Sequence, residues 1–457
     1  MSSYNEDFYK LIRQYSYSSA QEVVPLVLDL VKPKNVIDVG CGIGTWLSVY
    51  KEYGVEEIFG VDGNWVEPNL LEIPSECFLS VNLEDPLPVD RKFDLVMSLE
   101  VAEHLVGDRA ETFVDSLVKL GPVCLFSAAI PAQGGVNHVN EQWPEYWIHL
   151  FQNRGYVTID CIRKRVWELN QVTWWYSQNI FLFVQQAYLP YYPLLQSEFQ
   201  NNTLRFSVVH PALYQHKSQQ HNVPLLNESV HTPTSIRPYS KTFYQSVKAS
   251  CQSSAEEIVP VVMKLMQPKS VIEIGCGVGT WLSVFQQHGV QDIFGMDGNW
   301  VDTEDIEIDL NEFLTVDLEK PLPLPINQQQ FDLVVALTLA ERIPHDCADT
   351  FVDSIVRLGK VCLFSSAIPY QSGLNHINEQ WPQYWVQRFQ ERGYQVIDCI
   401  RPKIWNNPKV AWWYAQNILL FASSEVVNQS QFLKYEQQKT NTSMLSIIHP
   451  TLYLSRC

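Results

Sequence analysis

Two glycine-rich segments of the chain have residue types and spacing that suit a nucleoside or nucleotide. The segment VIDVGCGIGTW at 36–46 returns as VIEIGCGVGTW at 271–281. Glycine at every second position lets the backbone turn sharply and approach a ligand with no side chain between them. These glycines are Gly40, Gly42 and Gly44 in the first segment and Gly275, Gly277 and Gly279 in the second. Each segment therefore predicts a ligand-binding loop.

An acidic residue follows each loop at the predicted end of the next strand. There the carboxylates of Asp62 and Asp297 can accept hydrogen bonds from both hydroxyls of a ribose. The same feature would suit a dinucleotide oxidoreductase. That class favours glycine at the sixth position of the loop, whereas Thr45 stands there, followed by the bulky Trp46. The loop therefore favours a ligand without a pyrophosphate.

The two loops belong to a repeat that covers nearly the whole chain. Gly275 follows Gly40 by 275 − 40 = 235 residues, and the similarity extends far to both sides. We interpret 4–214 as copy 1 and 239–453 as copy 2. The segment 215–238 between them is rich in Gln, His, Ser, Thr and Pro and has no apolar periodicity. This composition predicts a flexible linker.

The elements that position the loops are predicted to alternate between strands and helices. In copy 1 the predicted strands are 35–39, 58–61, 78–81, 93–99, 123–130, 156–160 and 180–184, with helices from Thr45 to about Tyr53, around 113–120 and at 143–154. This alternation implies a parallel sheet that is covered by helices on both faces. Ligands in such sheets bind beyond the carboxyl ends of the strands, next to the first strand.

Three further segments reduce the range of ligands that the loops could bind. An acid precedes the first loop in DVGCGIG at 38–44, VNLEDPLP at 81–88 recurs as VDLEKPLP at 316–323, and FDLVMSLEVAEHL occupies 93–105. With these segments nearly all of each copy resembles the class I S-adenosylmethionine-dependent methyltransferases. The resemblance implies an α/β fold of two tandem Rossmann-like methyltransferase domains, each a mostly parallel seven-stranded sheet with helices on both faces. It also implies S-adenosylmethionine as the cofactor.

The resemblance assigns cofactor-binding residues in both copies. It places Asp38 near the methionine amino group, Asp62 near the ribose and Asn82 near the adenine. The implied set is Asp38, Gly40, Gly42, Gly44, Asp62, Asn82 and Glu100 in copy 1, and Glu273, Gly275, Gly277, Gly279, Asp297 and Asp317 in copy 2. Copy 2 is therefore expected to bind the cofactor at least as well as copy 1. The alternative, that these acids only cap strands, would have to recur twice.

The two copies differ just after the fourth strand, where EVAEHL becomes TLAERI. Thr338 replaces Glu100 and Arg342 replaces His104. In related methyltransferases this region faces the acceptor, and a histidine can take a proton near neutral pH, which an arginine cannot. We therefore expect copy 1 to be catalytic and copy 2 to have another acceptor or only a binding role. Alternatively, His104 only completes a hydrogen bond at the strand end.

A second polar segment, NHVNEQWP at 137–144, recurs in copy 2 as NHINEQWP. A connector with so many polar groups, placed behind a pair of glycines, indicates a loop that closes over the acceptor. His138 is the alternative general base to His104, and Glu141 is a third candidate catalytic residue. The structural alternative is that this segment only starts and caps the following helix.

A metal site is the alternative use of the same residues. Glu100, Glu103, His104 and His138 resemble the Glu-x-x-Glu-His motif and distal histidine of metal-dependent small-RNA 2′-O-methyltransferases. Carboxylate and imidazole ligands can hold a divalent ion that activates a hydroxyl. The motif also occurs in metal-independent methyltransferases, and the acidity of the chain disfavours RNA. We therefore predict no metal.

The composition disfavours several partners. A formal net charge of −18 argues against nucleic acid, whose binding needs clustered Lys and Arg. The apolar runs are strand-sized, far below the ~20 residues of a membrane-spanning helix, and the first residues lack the apolar core of a signal peptide. The ten cysteines show no CxxC spacing, which favours free thiols. We expect a cytoplasmic protein without nucleic-acid or membrane partners.

The sequence thus predicts an S-adenosylmethionine-dependent methyltransferase acting on an oxygen of a small molecule or glycan. The sulfonium donor is already activated, so no covalent nucleophile is needed. The glycan rests only on resemblance to bacterial methyltransferases of surface-glycan and secondary metabolism. One alternative is a scaffold protein in which one or both copies hold the cofactor without turnover. A second alternative is an NAD-type oxidoreductase.

Overall fold

The structure is a computed structural model that describes residues 6–201, 205–225, 241–325 and 330–457, with side chains described from 12 and from 242 in the first helix of each copy. The chain divides into two compact units, Met1–Leu213 and Tyr214–Cys457. Each unit contains one seven-stranded sheet with the same strand order. The predicted pair of seven-stranded α/β domains is therefore confirmed.

The elements of the first half begin with a long helix that the sequence patterns did not indicate. The strands are β1 (Asn35–Val39), β2 (Glu57–Asp62), β3 (Phe78–Ser80), β4 (Leu95–Leu99), β5 (Val123–Ser127), β6 (Tyr156–Ile159) and β7 (Phe181–Gln185). The helices are α1 (Glu6–Val31), α2 (Thr45–Glu52), α3 (Ala110–Leu120), α4 (Pro144–Gln152), α5 (Arg163–Val166), α6 (Trp174–Asn179), α7 (Pro193–Gln200) and α8 (Pro211–Gln220). The linker predicted at 215–238 begins inside α8, and residues 226–238 lie outside the described residues.

The second half repeats this order. Its strands are β8 (Ser270–Ile274), β9 (Asp292–Asp297), β10 (Phe313–Thr315), β11 (Leu333–Ala336), β12 (Val361–Phe364), β13 (Tyr394–Ile397) and β14 (Leu419–Ser423). Its helices are α9 (Lys241–Met266), α10 (Thr280–Gln287), α11 (Ala348–Leu358), α12 (Pro382–Glu391), α13 (Arg401–Ile404), α14 (Trp412–Asn417), α15 (Ser424–Gln429), α16 (Gln431–Lys439) and α17 (Pro450–Leu454).

The strand order places the first loop of each copy where the sheet changes direction. The order is β3-β2-β1-β4-β5-β7-β6, and β7 alone runs antiparallel, to both β5 and β6. The chain moves outward from β1 to β3 and then crosses back to β4 on the other side of β1. A crevice therefore opens beyond the carboxyl ends of β1 and β4, which is the usual ligand position in such sheets.

Helices cover both faces of each sheet. Val36 and Ile37 are neighbours on β1 and are fully buried, yet they belong to the apolar cores of opposite faces. Helix α1 contributes Ala20, Val23 and Val27 to the core on the side of Val36, at the spacing of one helical face. The predicted cover of helices on both faces is thus confirmed.

Two strands are shorter than predicted because their ends leave the sheet. At the start of β4, the Phe93 N–H donates to the Leu120 carbonyl at the end of α3. After β5, the Ile130 N–H donates to the Gln133 side chain, which turns the chain away from β4. All ten cysteines are free. In the described part of the chain, no helix has the length and apolarity required to cross a membrane.

Candidate cofactor and acceptor site

The loop after β1 has the tight geometry that its glycines predict. Gly40, Gly42 and Gly44 have φ angles of 86°, 55° and 87°, a region that costs residues with a Cβ about 1–2 kcal/mol. A Cβ on Gly40 would lie 2.3 Å from Cγ2 of Val101. The loop can therefore pass close under the end of β4 only because this position is glycine.

Asp62 lies at the end of β2 and accepts a hydrogen bond from the loop after β1. Its Oδ2 accepts the Gly42 N–H and its Oδ1 accepts the Gly63 N–H, both at 2.6 Å. Burial raises the pKa of the Asp62 carboxyl, and these two hydrogen bonds oppose the rise. Asp297 repeats both contacts in copy 2. Asp62 thus fixes the loop, in addition to its predicted ribose role.

Asp38 is a buried carboxyl that suits a cationic ligand group. Burial and the negative charge of Asp62 raise the pKa of Asp38 to about 8. In copy 2 burial and the charge of Asp297 raise the pKa of Glu273 well above its usual range. The Oε2 of Glu273 is buried and has no hydrogen-bond partner among the described residues. An ammonium group at this position would satisfy either carboxylate, as the methionine end of the predicted cofactor requires.

Glu100 follows β4 and is held by side chains from two distant segments. Its carboxylate accepts hydrogen bonds from Gln133 Nε2 at 3.1 Å and from Asn179 Nδ2 at 3.1 and 3.2 Å. The Asn179 amide also donates to Gln133 Oε1 at 3.1 Å. Glu100 has a φ of 54°, a left-handed conformation that is uncommon away from glycine. The left-handed backbone and the two amides together fix the position of this carboxylate just after β4.

Sequence reasoning missed Gln133 and Asn179. The signal that could have found them is their conservation in copy 2, where the equivalent residues are Gln371 and Asn417. Copy 2 has Thr338 in place of Glu100, so these two amides have no equivalent carboxylate to bind. The segment WWYSQN also gives the fold a buried Tyr176. Its asparagine is the part that reaches the site.

Glu103 and two histidines form a cluster beside Glu100. Both carboxylate oxygens of Glu103 are buried without a hydrogen bond of normal geometry among the described residues. Burial raises the pKa of both Glu100 and Glu103, and the charge of Glu100 raises that of Glu103 further. Glu103, His104 and His138 offer ligand atoms that all lie within 4.8 Å of one another, close enough to hold a metal ion. The metal alternative thus keeps a geometric basis.

His138 has the better geometry for a general base. Its Nδ1 lies 2.8 Å from Glu141 Oε1, and Glu141 Oε1 also accepts the Gly134 N–H at 2.7 Å. This contact holds the Nδ1–H tautomer, which leaves Nε2 as the acceptor. The His104 ring packs edge-on against the His138 ring, with 4.9 Å between the ring centroids. Burial and the proximity of His138 lower the pKa of His104 to about 4, which makes it a poor proton acceptor.

The structure confirms that a helix starts at Pro144, as the structural alternative for the 137–144 segment predicts, but neither Asn140 nor Glu141 caps it. Helix α4 starts with Pro144 at its first position, and Trp143 precedes it without a side-chain cap. Glu141 instead binds His138 and the backbone of Gly134. The polar residues of this segment therefore shape the site.

The comparable site in copy 2 forms a cavity of about 620 Å³. Glu273, Asp297 and Asp317 all line it, together with Arg342 and His376. Its size is typical of small-molecule sites. The side chains of Phe8 and Tyr9, the copy 1 counterparts of two further lining residues, lie outside the described residues.

Asn82 lies at the edge of the copy 1 site. Its amide donates to Asp85 at 3.0 Å and its oxygen accepts the Glu84 N–H, so the side chain is held in a turn. In copy 2, Asp317 forms an ion pair with Lys320, which lowers the pKa of Asp317. Contact of either side chain with adenine stays a prediction.

Comparison with known proteins decides the family. A methyltransferase domain family matches residues 11–160 and again residues 252–399, together more than half of the chain. The chain belongs to this methyltransferase family. Family membership supports S-adenosylmethionine as the cofactor, and it favours a methyltransferase over the NAD-type alternative.

Individual relatives match over shorter stretches. The chain is similar to ajmaline N-methyltransferase of Rauvolfia serpentina, 34% identical over 101 residues, which is 20% of this chain and 33% of that protein. It is also similar to norajmaline N-methyltransferase of the same plant, 29% identical over 114 residues, 21% and 37% of the two chains. The methyltransferase chain thus spans about a third of the length of these relatives.

Among solved structures, the methyltransferase is similar to magnesium protoporphyrin IX methyltransferase from Synechocystis PCC 6803 with bound S-adenosylmethionine. That match has 16% identity and a TM-score of 0.30, and it covers 41% of this chain and 86% of the other.

Proposed function

We propose that the chain transfers the methyl group of S-adenosylmethionine to an oxygen of a small molecule or glycan, with copy 1 as the catalytic unit. The observation that carries this proposal is Glu100 together with the His138–Glu141 pair, at 2.8 Å between Nδ1 and Oε1. Copy 2 has the same pair in His376 and Glu379 but Thr338 in place of Glu100. A hydroxyl acceptor must lose a proton during transfer, whereas a neutral amine already has a free lone pair. An oriented imidazole base is therefore most useful for an oxygen acceptor.

In this mechanism the protein aligns two groups and moves one proton. Asp38 and Asp62 hold the two ends of the cofactor, and Glu100 lies where the methyl group faces the acceptor. His138 Nε2 takes the proton of the hydroxyl, and Glu141 stabilises the resulting imidazolium through Nδ1–H. The positive charge of the sulfonium supplies the chemical drive when the cofactor is bound. Alignment of the reacting atoms supplies the rest.

The test uses the full chain with S-adenosylmethionine and a panel of sugars, phenols, alcohols and amines. Formation of S-adenosylhomocysteine is measured for the wild type, Asp62→Ala and Asp297→Ala. We expect turnover with hydroxyl acceptors and its loss in Asp62→Ala. Turnover with amines alone would contradict the oxygen acceptor. Cofactor binding without turnover on any acceptor class would favour the scaffold alternative.

The cluster of Glu103, His104 and His138 supports a second candidate, metal-assisted transfer to a hydroxyl. A divalent ion would polarise the hydroxyl in place of the imidazole base. The ligand atoms lie within 4.8 Å of one another. In this mechanism removal of divalent ions abolishes turnover, and addition of Mg²⁺ or Mn²⁺ restores it.

A further inference from the structure

Copy 2 keeps the parts of the site that recognise an S-adenosyl ligand. Gly275 has a φ of 73°, and Asp297 accepts the N–H groups of Gly277 and Gly298 as Asp62 does in copy 1. The cavity of about 620 Å³ is lined by both Glu273 and Asp297. If Glu273 binds the methionine amine and Asp297 the ribose, the sulfur lies between them, because it joins these two parts of the ligand.

The charge around this sulfur position differs between the copies. At the corresponding positions copy 1 has the carboxyls of Glu100 and Glu103 and the imidazole of His104. In copy 2, Thr338 carries no charge, and the carboxylate of Glu341 is offset by the guanidinium of Arg342. Arg342 Nη1 lies 3.1 Å from Glu341 Oε1. Copy 2 thus has a guanidinium where copy 1 has an imidazole, and it lacks the Glu100 carboxyl.

Arg342 lines the cavity of copy 2. Its side chain is only 19% exposed, and it donates to the Thr338 carbonyl at the end of the fourth strand of copy 2. Its charge also acts on both sides of the sulfur position. It opposes the burial-driven rise in the pKa of Asp297, and likewise that of the Cys251 thiol, which in turn lies near Glu273.

Two permanent cations then compete for one cavity. An arginine stays protonated at every physiological pH, and a sulfonium has no proton to lose. S-adenosylmethionine carries that sulfonium, whereas its demethylated product, S-adenosylhomocysteine, has a neutral thioether. Repulsion between like charges in a partly buried site amounts to a tenfold or larger change in affinity at separations of several ångströms. The same repulsion is absent for the product.

We propose that copy 2 is a product-selective site that binds S-adenosylhomocysteine in preference to S-adenosylmethionine, because Arg342 adds a permanent cation to the wall of the cavity that would hold the sulfur. This inference rests on the proposed function, since it requires copy 2 to bind an S-adenosyl ligand. Copy 1 provides the reference, because it has the same ribose acid and differs by one apolar residue in the glycine loop and by one in the histidine segment.

The experiment is calorimetric titration of both ligands into two full-length variants. Asp62→Ala leaves copy 2 as the intact site, and Asp297→Ala leaves copy 1. We expect the ratio Kd(S-adenosylmethionine)/Kd(S-adenosylhomocysteine) to be at least about tenfold larger in copy 2. Because Asp62 and Asp297 hold backbone N–H groups, Asp62→Asn and Asp297→Asn, which keep the side-chain shape, replace the alanine variants if circular dichroism shows misfolding.

Arg342→His and Arg342→Lys in the Asp62→Ala chain test the cause. The histidine variant restores the copy 1 residue and should bring the ratio towards that of copy 1, whereas lysine keeps the charge and should keep the ratio. Equal ratios in the two copies, or a ratio unchanged in Arg342→His, would overturn the product preference alone. If the Asp62 variants bind neither ligand, the assignment of copy 2 as an S-adenosyl site fails, and this inference fails with it.

Discussion

The ends of β4 in copy 1 and β11 in copy 2 share a backbone but carry different chemistry. Glu100 and Thr338 have φ angles of 54° and 52°, and both N–H groups donate to a serine at the end of the next strand. Copy 1 has the Glu100 carboxyl and the imidazoles of His104 and His138 near this strand end. Copy 2 keeps one imidazole, His376, and its Arg342 lies against Glu341. The duplication therefore separates what the fold requires from what the reaction requires.

A second difference between the copies is a pair of buried substitutions that compensate each other in volume. Copy 1 has Asp38 with Tyr50 packed near it, and copy 2 has the longer Glu273 with Phe285, which lacks the hydroxyl. Tyr50 and Phe285 are both fully buried. A longer acid beside a smaller ring keeps the buried volume nearly constant, as close-packed cores require. A buried carboxyl group is preserved in both copies, which supports a shared cationic ligand.

The largest expected effect comes from removing the proposed general base of copy 1 and its counterpart in copy 2. His138→Ala should lower kcat by about 10²–10³-fold, because the hydroxyl proton loses its acceptor. The matched variant, His376→Ala in copy 2, should leave kcat within about twofold, because copy 2 does not turn over in the proposed mechanism. Steady-state kinetics of both variants with the best hydroxyl acceptor checks this. Equal losses would mean that both copies catalyse.

The next effect compares the same glycine-to-alanine substitution in the two glycine loops. Ala at Gly40 or Gly275 meets a positive φ in both copies, but its Cβ would lie 2.3 Å from the stiff, branched Val101 and 2.7 Å from the flexible end of Leu339. We expect a loss of about 3 kcal/mol in local stability for Gly40→Ala and about 1–2 kcal/mol for Gly275→Ala. Hydrogen exchange of β1 and β8 measures each loss. A larger loss at Gly275 would contradict the packing argument.

A smaller effect follows from the raised pKa of Asp38. Folded Asp38 keeps its proton up to about pH 8, whereas the unfolded chain releases it near 3.8, so between these values the unfolded state binds fewer protons. The free energy of unfolding therefore falls as pH rises, by up to ~1 kcal/mol per pH unit from this group. Asp38→Asn should thus gain stability over the wild type at both pH values, with the larger gain at pH 8 and the smaller at pH 5.

Thermal unfolding of the two proteins at both pH values measures this gain. Asp90→Asn removes an exposed carboxyl in the same copy and serves as the matched control, with no pH-dependent difference expected. A constant offset between Asp38→Asn and the wild type would mean that Asp38 is ionised in the folded protein.

The smallest expected effect decides between the two uses of the histidine cluster. Treatment of the full chain with a chelator should leave turnover unchanged if His138 acts as the base. Loss of turnover and its recovery with Mg²⁺ would instead assign Glu103, His104 and His138 as metal ligands. Measuring activity before chelation, after chelation and after the addition of Mg²⁺ is sufficient to decide between the two uses.

Much of the fold followed from local patterns, but the site followed only in part. β1, α2 and β2 were predictable because apolar runs, glycines and a terminal acid mark them within a few residues. The contacts of Glu100 were not, since Gln133 and Asn179 are 33 and 79 residues away and reach it only after β5 and β7 pair. The shift from His104 to His138 as the better base also depends on burial, which sequence does not show.

The amides that hold Glu100 have a consequence for design. Copy 2 retains Gln371 and Asn417, hydrogen-bonded to each other at 3.0 Å, although Thr338 offers them no carboxylate. Its backbone at residue 338 already has the left-handed angle that Glu100 uses. Reinstalling glutamate and histidine at 338 and 342 would therefore require no rebuilding of the chain path. Copy 2 is therefore a scaffold in which the acceptor-side residues of copy 1 can be installed without any change to copy 1.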